Sequence, residues 1–594
     1  MKKDNIKNLY LLMLLGMTFL TGCNFTDSDM LAFKTEDDVT HNINSITTVI
    51  NNVYSYLPDG YDRIGNAMLA SACDEAEDVN DGEDIQNFNI GNWGSFSNPE
   101  GSPWSNSYNG IRKANAFLDL LKQVDWSYLK IGTPEEYNRR ATLTTMHKYE
   151  AHFLRAFFYF ELIKRYGGVP LVTRAYDPIS ELDSLKRIPR ASFSRCVNYI
   201  VQQCDTAAKY LSADYYSNTA TQAYLGRATK GAALALKART LLYAASDLYN
   251  QPNNTDSLVG YTDANRQARW IRAAQACKAV LDMVNSSIYS FHSDYSALFL
   301  LRDAFSREVI FEKRYTASNT FDVLNYPVGF ATGKSETCPT QNLVDAYEMK
   351  FSSSTDARSG KTIDDPTSGY DPANPYANRD PRLKKTIVYN GTTFGKNATA
   401  VQLWEGGSQG LPRVGASKTG YYLRKYVDET LDLTLNNTSK KQWVYFRLSE
   451  IYLDYAEAML EAFGSPTATS AADGLTITAL SAVNSVRTRA AVGMPALAST
   501  ITAADFRARL RNERRVELAF EEHRYWDVRR WMTADQGIGG DIYGMRIQET
   551  TPGVYSYTRQ KIETRAWSSK MYLYPIPQSE MNKSLVLVQN PGWK

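Results

Sequence analysis

The chain is predicted to be mostly α-helical, with pairs of helices forming a frame that supports an irregular, loop-rich region with a few short strands. Three observations carry that expectation. Apolar residues recur three and four apart through long stretches on both sides of a middle part that lacks the pattern. The stretch 226–250, GRATKGAALALKARTLLYAASDLYN, is packed with alanine, so a neighbouring helix can approach closely. The 39 Tyr, 23 Phe and 10 Trp supply rings suited both to filling gaps between helices and to wet binding surfaces. At 594 residues and 43% hydrophobic composition, the chain has ample length for a large core.

Taken in order, the chain opens with Lys2, Lys3 and Lys7, an apolar run from Leu9 to Leu20, and Leu20-Thr21-Gly22-Cys23. A run of about a dozen residues falls short of the roughly 20 that span a bilayer, so 1–22 reads as a cleaved export signal. Its end is a lipobox like that of bacterial lipoproteins, with Cys23 as the acylated first residue. Residues 23–34 are expected to be a flexible tether, and 35–594 a single body. Within the body, 35–290 is the N-terminal helical part, 291–440 the irregular ligand-side region, and 441–594 the C-terminal helices and extended tail.

Thr35 with Asp38 makes a capping-box-like start, and Ile43, Ile46, Ile50, Val53 and Leu57 keep helical spacing up to Pro58. Residues 71–104 are acidic, then rich in Gly, Asn and aromatics, and read as a long loop. Helices are expected from Ser105, from Pro134 to Gly167-Gly168, and at 192–212, 226–250 and 264–286. Glu308 to Glu312 and Lys384 to Tyr389 look like short strands. Helices resume at 445–462, 475–491, 503–522 and 523–533, and the last sixty residues read as short extended pieces and turns.

Most chemistry is excluded by what the residues cannot do. Lys plus Arg number 66 against 64 Asp plus Glu, so no net field draws the chain to nucleic acid. Beyond Cys23, the cysteines at 73, 196, 204, 277 and 338 follow neither a metal-ligand spacing nor a disulfide framework. Gly329 to Ser335 has one residue too few between its glycines for a phosphate loop. His147 and His152, five apart, miss the spacing that puts two zinc ligands on one helical face. The acidic run Asp74, Glu75, Glu77, Asp78, Asp81, Glu83 and Asp84 could hold a structural calcium, but reads better as a solvated loop. Arg511 to Trp531 interleaves Arg with Glu and Asp around apolar anchors and is expected to be architectural. Among 64 acidic residues some pair must exist, which keeps a surface glycosidase as a less favoured alternative.

A series of motifs then carries a resemblance. In order they are YNGIRKANAFLDLL (108–121), EAHFLRAFFYFELIKRYGGVPLV (150–172), ATKGAALALKARTLLYAAS (228–246) and PTQNLVDAYEMK (339–350). These are followed by NRDPRL (378–383), GYYLRKYVD (420–428), FRLSEIYLDYAEAMLEA (446–462), VRTRA (486–490), RNERRVELAFEEHRYWDVRRW (511–531), and YLYPIP with QNPGW near the end. The chain resembles the RagB/SusD family of outer-membrane nutrient-binding lipoproteins from Cys23 to Trp593. The resemblance implies a SusD-like fold, with four tetratricopeptide-type helix pairs supporting the irregular region. It also implies a lipid-anchored protein on the cell surface, at the outer membrane, with no catalysis and no cofactor. Such a protein captures oligosaccharide and delivers it to a SusC-like TonB-dependent transporter, although members of the RagB branch handle peptides instead.

No motif of the family marks the ligand site, so its candidates are read from chemistry. Sugar rings lay C–H faces on aromatic rings while their hydroxyls seek Asn, Asp, Gln or Arg. Asn92, Trp93, Phe96 and Asn98, with Asn87 and Asn89, offer both in a Gly-rich loop. Trp104, Tyr326 beside Asn325, Tyr376, and Trp404 beside Glu405 are the remaining candidate platforms.

Overall fold

The computed structural model describes residues 36–177, 179–214, 224–353 and 355–593. The expected signal, Cys23 and the tether lie outside these, as does Thr35 of the proposed capping box.

Among the described residues, ten helices of eight or more residues build the frame. The first is α1 (Ile43–Tyr54), where the Asn42 side chain accepts from the N–H groups of Asn44 and Ser45, and Ile43, Ile46, Ile50 and Val53 are buried. Then follow α2 (Pro103–Leu120), α3 (Pro134–Tyr166), α4 (Phe193–Tyr210), α5 (Lys230–Ala245) and α6 (Arg266–Asn285). After a long interval come α7 (Leu448–Phe463), α8 (Ala479–Arg487), α9 (Ala503–Glu517) and α10 (His523–Arg530). The starts are dictated locally: Ser192, Thr229, Thr478 and Thr502 each accept a backbone N–H of the first turn. Gly167, with φ 74°, ends the 33 residues of α3.

Each helix packs on the next in a row running from α2 to α8, and α9 closes it against α7 and α8. The row divides into four antiparallel pairs of tetratricopeptide type: α2 with α3, α4 with α5, α6 with α7, and α8 with α9. Small residues set the spacing. A Cβ on Gly110 of α2 would come 2.5 Å from the Phe158 ring of α3, and one on Gly231 of α5 would come 1.8 Å from the Tyr289 hydroxyl.

The third pair is interrupted, because residues 286–447 run out between its two members and return. That excursion is the irregular region. Its ends are laced together where β1 (Val309–Arg314) pairs antiparallel with β2 (Gln442–Arg447), which leads directly into α7. Lys384 to Tyr389 is not one strand, as expected, but a turn of helix (Arg382–Thr386) running into a two-residue strand, Ile387–Val388. The cause is Asp380, which accepts the Arg382 N–H, while Glu513 and Glu517 of α9 pin the Arg382 guanidinium.

The C-terminal segment also differs from the reading of short pieces. β3 (Gly540–Thr551) and β4 (Val554–Arg565) form a long hairpin that turns at Pro552-Gly553, with Gly553 at φ 79°.

The Arg-rich stretch is architectural. Arg514 reaches Asp454 and Asp527, and Arg530 reaches Glu457, all buried, so α9 and α10 are riveted to α7. All five cysteines after Cys23 are buried free thiols.

Candidate functional site

Leaving α1 at Pro58, the chain makes a tight turn braced by its own carboxylates. Asp59 accepts from the N–H groups of Tyr61 and Asp62 (3.0 and 3.3 Å), and Asp62 accepts from that of Asn66 (2.7 Å). The turn lies directly on β2: Gly60 faces the Trp443 ring, and the Tyr61 hydroxyl donates to the Gln442 carbonyl (2.7 Å). The Tyr61 ring sits 4.5 Å from Phe321 and 5.5 Å from Tyr315, centroid to centroid. Between them opens a cavity of about 200 Å³, rimmed by Asp59, Asp62, Asn66, Ser318, Thr320 and Ser439. The Lys441 ammonium on its wall is neutralised by Asp322 at 2.9 Å. Burial, followed by the neighbouring Tyr445 hydroxyl and the Asp59 carboxylate, pushes the Tyr315 phenol far above its ordinary pKa, so it stays a neutral donor.

A second lobe of about 340 Å³ lies across the same turn, sharing Asp59 and Asp62. Its walls are charged. Arg165 bridges Glu100 and Glu161, and Arg63 reaches Glu522 (3.0 Å) and Glu100 (3.4 Å). Burial raises the Glu161 carboxyl, but Lys164, Arg165 and Arg63 outweigh it and bring it down to about 2. The Lys313 ammonium donates to the Leu57 carbonyl at 2.9 Å. An aromatic lobe with hydroxyl and carboxylate edges and a lobe of balanced charges thus flank the turn, with Asp59 and Asp62 lining both.

None of the residues expected from sequence lines either lobe. Trp93 is 8% exposed, packed edge-on against Phe88 and Tyr574 and tilted on Trp593, so the expected open platform is a core residue. Trp104 is buried between Tyr108 and Tyr166. Tyr326 is buried with its hydroxyl on the Asp428 carbonyl, and neighbouring Asn325 is buried with its amide on the Phe321 carbonyl. Trp93 and Tyr326 are corrected from surface to interior, because elements remote in sequence close over them, whereas the buried Trp104 lines, with Tyr108, a separate cavity of about 940 Å³. Asn92 stays at the surface with its amide on Asn87, Phe96 is 87% exposed, and Asn98 holds the Glu100 N–H. Asn89 is buried against Ser71 and Gln86. Tyr376 and Trp404 are half-buried beside the hairpin, stacked on Tyr389 (4.3 Å) and set against Tyr555 (4.9 Å) respectively.

The acidic run is solvated only at its far end, at Asp81, Glu83 and Asp84. Asp74 is held by Arg515 and Arg524, Glu77 by Arg565 and Gln86, and Asp74, Glu75, Glu77 and Asp78 are all buried. Pairing of Ala76–Asp78 with Thr337–Pro339 draws the run inward. Among the described residues no three His, Cys, Asp or Glu side chains gather as metal ligands would. Sequence reasoning missed Asp59, Tyr61, Tyr315 and Phe321, although Pro58-Asp59-Gly60 is a recognisable turn signal with an aromatic directly behind it.

A family model described as "Starch-binding associating with outer membrane" matches residues 26–242, and the SusD family model matches 307–593. The chain belongs to the SusD/RagB family. No curated protein matches the sequence. Among solved structures, the SusD-family chain is similar to a SusD-like protein from Bacteroides fragilis, 25% identical, covering 94% of this chain and 98% of that one with a TM-score of 0.72. It is similar to a SusD-like carbohydrate binding protein from the same organism, 26% identical, covering 92% and 99% with a TM-score of 0.71. Surface glycan-binding protein A from Bacteroides fluxus, 19% identical over 93% and 99%, shares the fold with a TM-score of 0.60. Among the described residues of this SusD-family chain, no helix is long and apolar enough to cross a membrane.

Proposed function

We propose that this SusD-family chain is a non-catalytic receptor that holds an oligosaccharide in the cleft beside the 58–66 turn. It then releases the sugar to a SusC-like TonB-dependent transporter at the cell surface, where acyl chains on Cys23 tether it to the outer membrane. The observation that carries the reading is the half-buried Tyr315 ring, backed by the buried Tyr61 and Phe321 and faced by Asp59, Asp62 and Asn66. That arrangement meets both halves of sugar chemistry, ring faces and hydroxyls. The description of the family model and the 26%-identical carbohydrate binding protein support the same ligand class. Each net hydrogen bond contributes about 0.5–1.5 kcal/mol, so a few of them with one ring contact give micromolar or weaker binding. Weak capture fits a protein that must hand its ligand on.

The charged lobe beside the aromatic one favours a second reading, a peptide whose two termini meet Glu100 or Glu161 at one end and Arg63 or Lys313 at the other. Polysaccharide affinity gels and a peptide library separate the two. Tyr315→Ala is expected to weaken glycan retardation at least tenfold while the melting temperature stays within a few degrees, and no new reducing ends are expected to form. Retardation unaffected by Tyr315→Ala would sink the cleft as the site, new reducing ends would mean hydrolysis, and binding of peptides alone would favour the second reading.

A further inference from the structure

On the hairpin, outside the cleft lining, a second surface repeats the cleft's chemistry. The Glu405 N–H donates to the Ile547 carbonyl of β3, so residues 404 and 405 are laid along the edge of that strand. This sets the Trp404 ring against Tyr555 of β4 at 4.9 Å with a 33° tilt, short of flat stacking, and both residues stay partly exposed. Beside the rings the Glu405 carboxylate takes two nitrogens of Arg546 (2.6 and 3.0 Å) and the Gln548 amide (2.9 Å). Arg546 and Glu405 are 48% and 39% exposed, where an ion pair contributes little to stability. What such a trio does offer is ready-made recognition. Arg546 keeps N–H donors beyond the two spent on Glu405, and the carboxylate keeps acceptor capacity, in a geometry already fixed before a ligand arrives.

We propose that Trp404, Tyr555, Glu405, Arg546 and Gln548 form a second carbohydrate-binding platform, which grips a separate stretch of the same polysaccharide that the cleft holds. The proposal rests on the glycan-binding reading above. It makes the protein bivalent towards polymers: once one site is engaged the second meets its ligand at a high effective concentration, and two weak sites retain a long chain that neither would hold alone. The platform shares no residue with either lobe of the cleft, so the two are separable by mutation.

The test uses the full chain in native gels cast with soluble starch, xylan, galactomannan, arabinan or pectic galactan over a range of concentrations. Trp404→Ala and Arg546→Ala are each expected to weaken apparent affinity for the retarding polysaccharide about tenfold, the size of a ring contact or of one or two hydrogen bonds. Each combined with Tyr315→Ala is expected to abolish retardation. Parent-like retardation of Trp404→Ala and Arg546→Ala, alongside a loss in Tyr315→Ala, overturns the platform and leaves the cleft standing. A parent chain that none of the gels retards overturns both. Should Trp404→Ala melt early, Arg546→Ala carries the decision, since its side chain is half in solvent, and parent-like retardation of that variant overturns the platform.

Discussion

Gly60 decides whether the cleft keeps its shape. A Cβ there would sit 1.9 Å from the Trp443 ring, and the Tyr61 hydroxyl is bonded to the carbonyl of Gln442, the residue before Trp443. Turn and strand are therefore fitted at backbone contact, with no room for a methyl group. Gly60→Ala is expected to lose about 1–3 kcal/mol in a denaturant titration, the usual cost of overpacking, together with glycan retardation. A variant that matches the parent in both would mean that the turn slides freely on β2. Trp93 shows the limit of local reading at this scale. Its neighbours, Gly91-Asn92 and Gly94, look like those of an exposed platform, yet Tyr574 and Trp593, some five hundred positions away, cover the ring.

At the scale of elements, α9 and its connection to α10 collect the buried charges. Glu517 accepts from Arg382, Arg447 and Arg489 at 2.6–2.8 Å. Removing it takes one carboxylate partner from each of three buried guanidinium groups, so Glu517→Ala is expected to cost about 3–5 kcal/mol, read as an earlier unfolding midpoint. Other buried carboxylates held by arginines set the acid limit. Burial raises Glu457, but Arg530 and Arg514 prevail and bring it down to about 2, as happens for Glu161. A lowered carboxyl supports the fold above the ordinary carboxylate range and loses that support as pH falls towards 2.

Glu75 works the other way. Burial, then the Asp74 charge, pushes it up to about 8, although its carboxylate accepts the Phe520 N–H. Between about pH 4.5 and 8 the folded chain holds a proton that the unfolded chain releases, so this group loses stability as pH climbs. Glu75→Gln keeps the hydrogen bond and removes the titration. Its melting temperature is expected to fall less than the parent's between pH 6 and 9, and parallel slopes would show that Glu75 does not govern the alkaline side.

For the whole molecule, the decisive feature is that the third helix pair is split. The inner face of α6, with Trp270, Ala273, Ala274, Cys277 and Val280, is buried against α5 and α7, and α7 arrives only after residues 286–447. Residues 36–290 produced alone therefore expose an apolar face on their last helix and lose the partner of α6. They are expected to aggregate, or to show no slowly exchanging amides in α6. A soluble fragment with a cooperative melt and protected α6 amides would show that the halves fold independently. The same excursion carries Tyr315, Phe321 and Lys441 back to the 58–66 turn, so frame and cleft are completed by one chain crossing.

Helix starts and stops follow from near neighbours, which is why the start at Pro134, the stop at Gly167 and the alanine-rich α5 were legible in the sequence. The motifs that mark the family are runs of the same kind, read without knowing what touches what. The hairpin β3–β4 was not legible, because its Tyr, Arg and Thr residues look like loop until Trp404 and Tyr376 pack against one face. Nor was the cleft. Tyr61, Tyr315 and Phe321 are each an ordinary aromatic in sequence, and they become one wall only through contacts spanning some 250 residues. By itself the sequence determined the fold class and the family, since both rest on periodicity and local hydrogen bonding. Which rings are buried and which stay partly open was decided by the tertiary structure, because burial belongs to whatever the rest of the chain places on top.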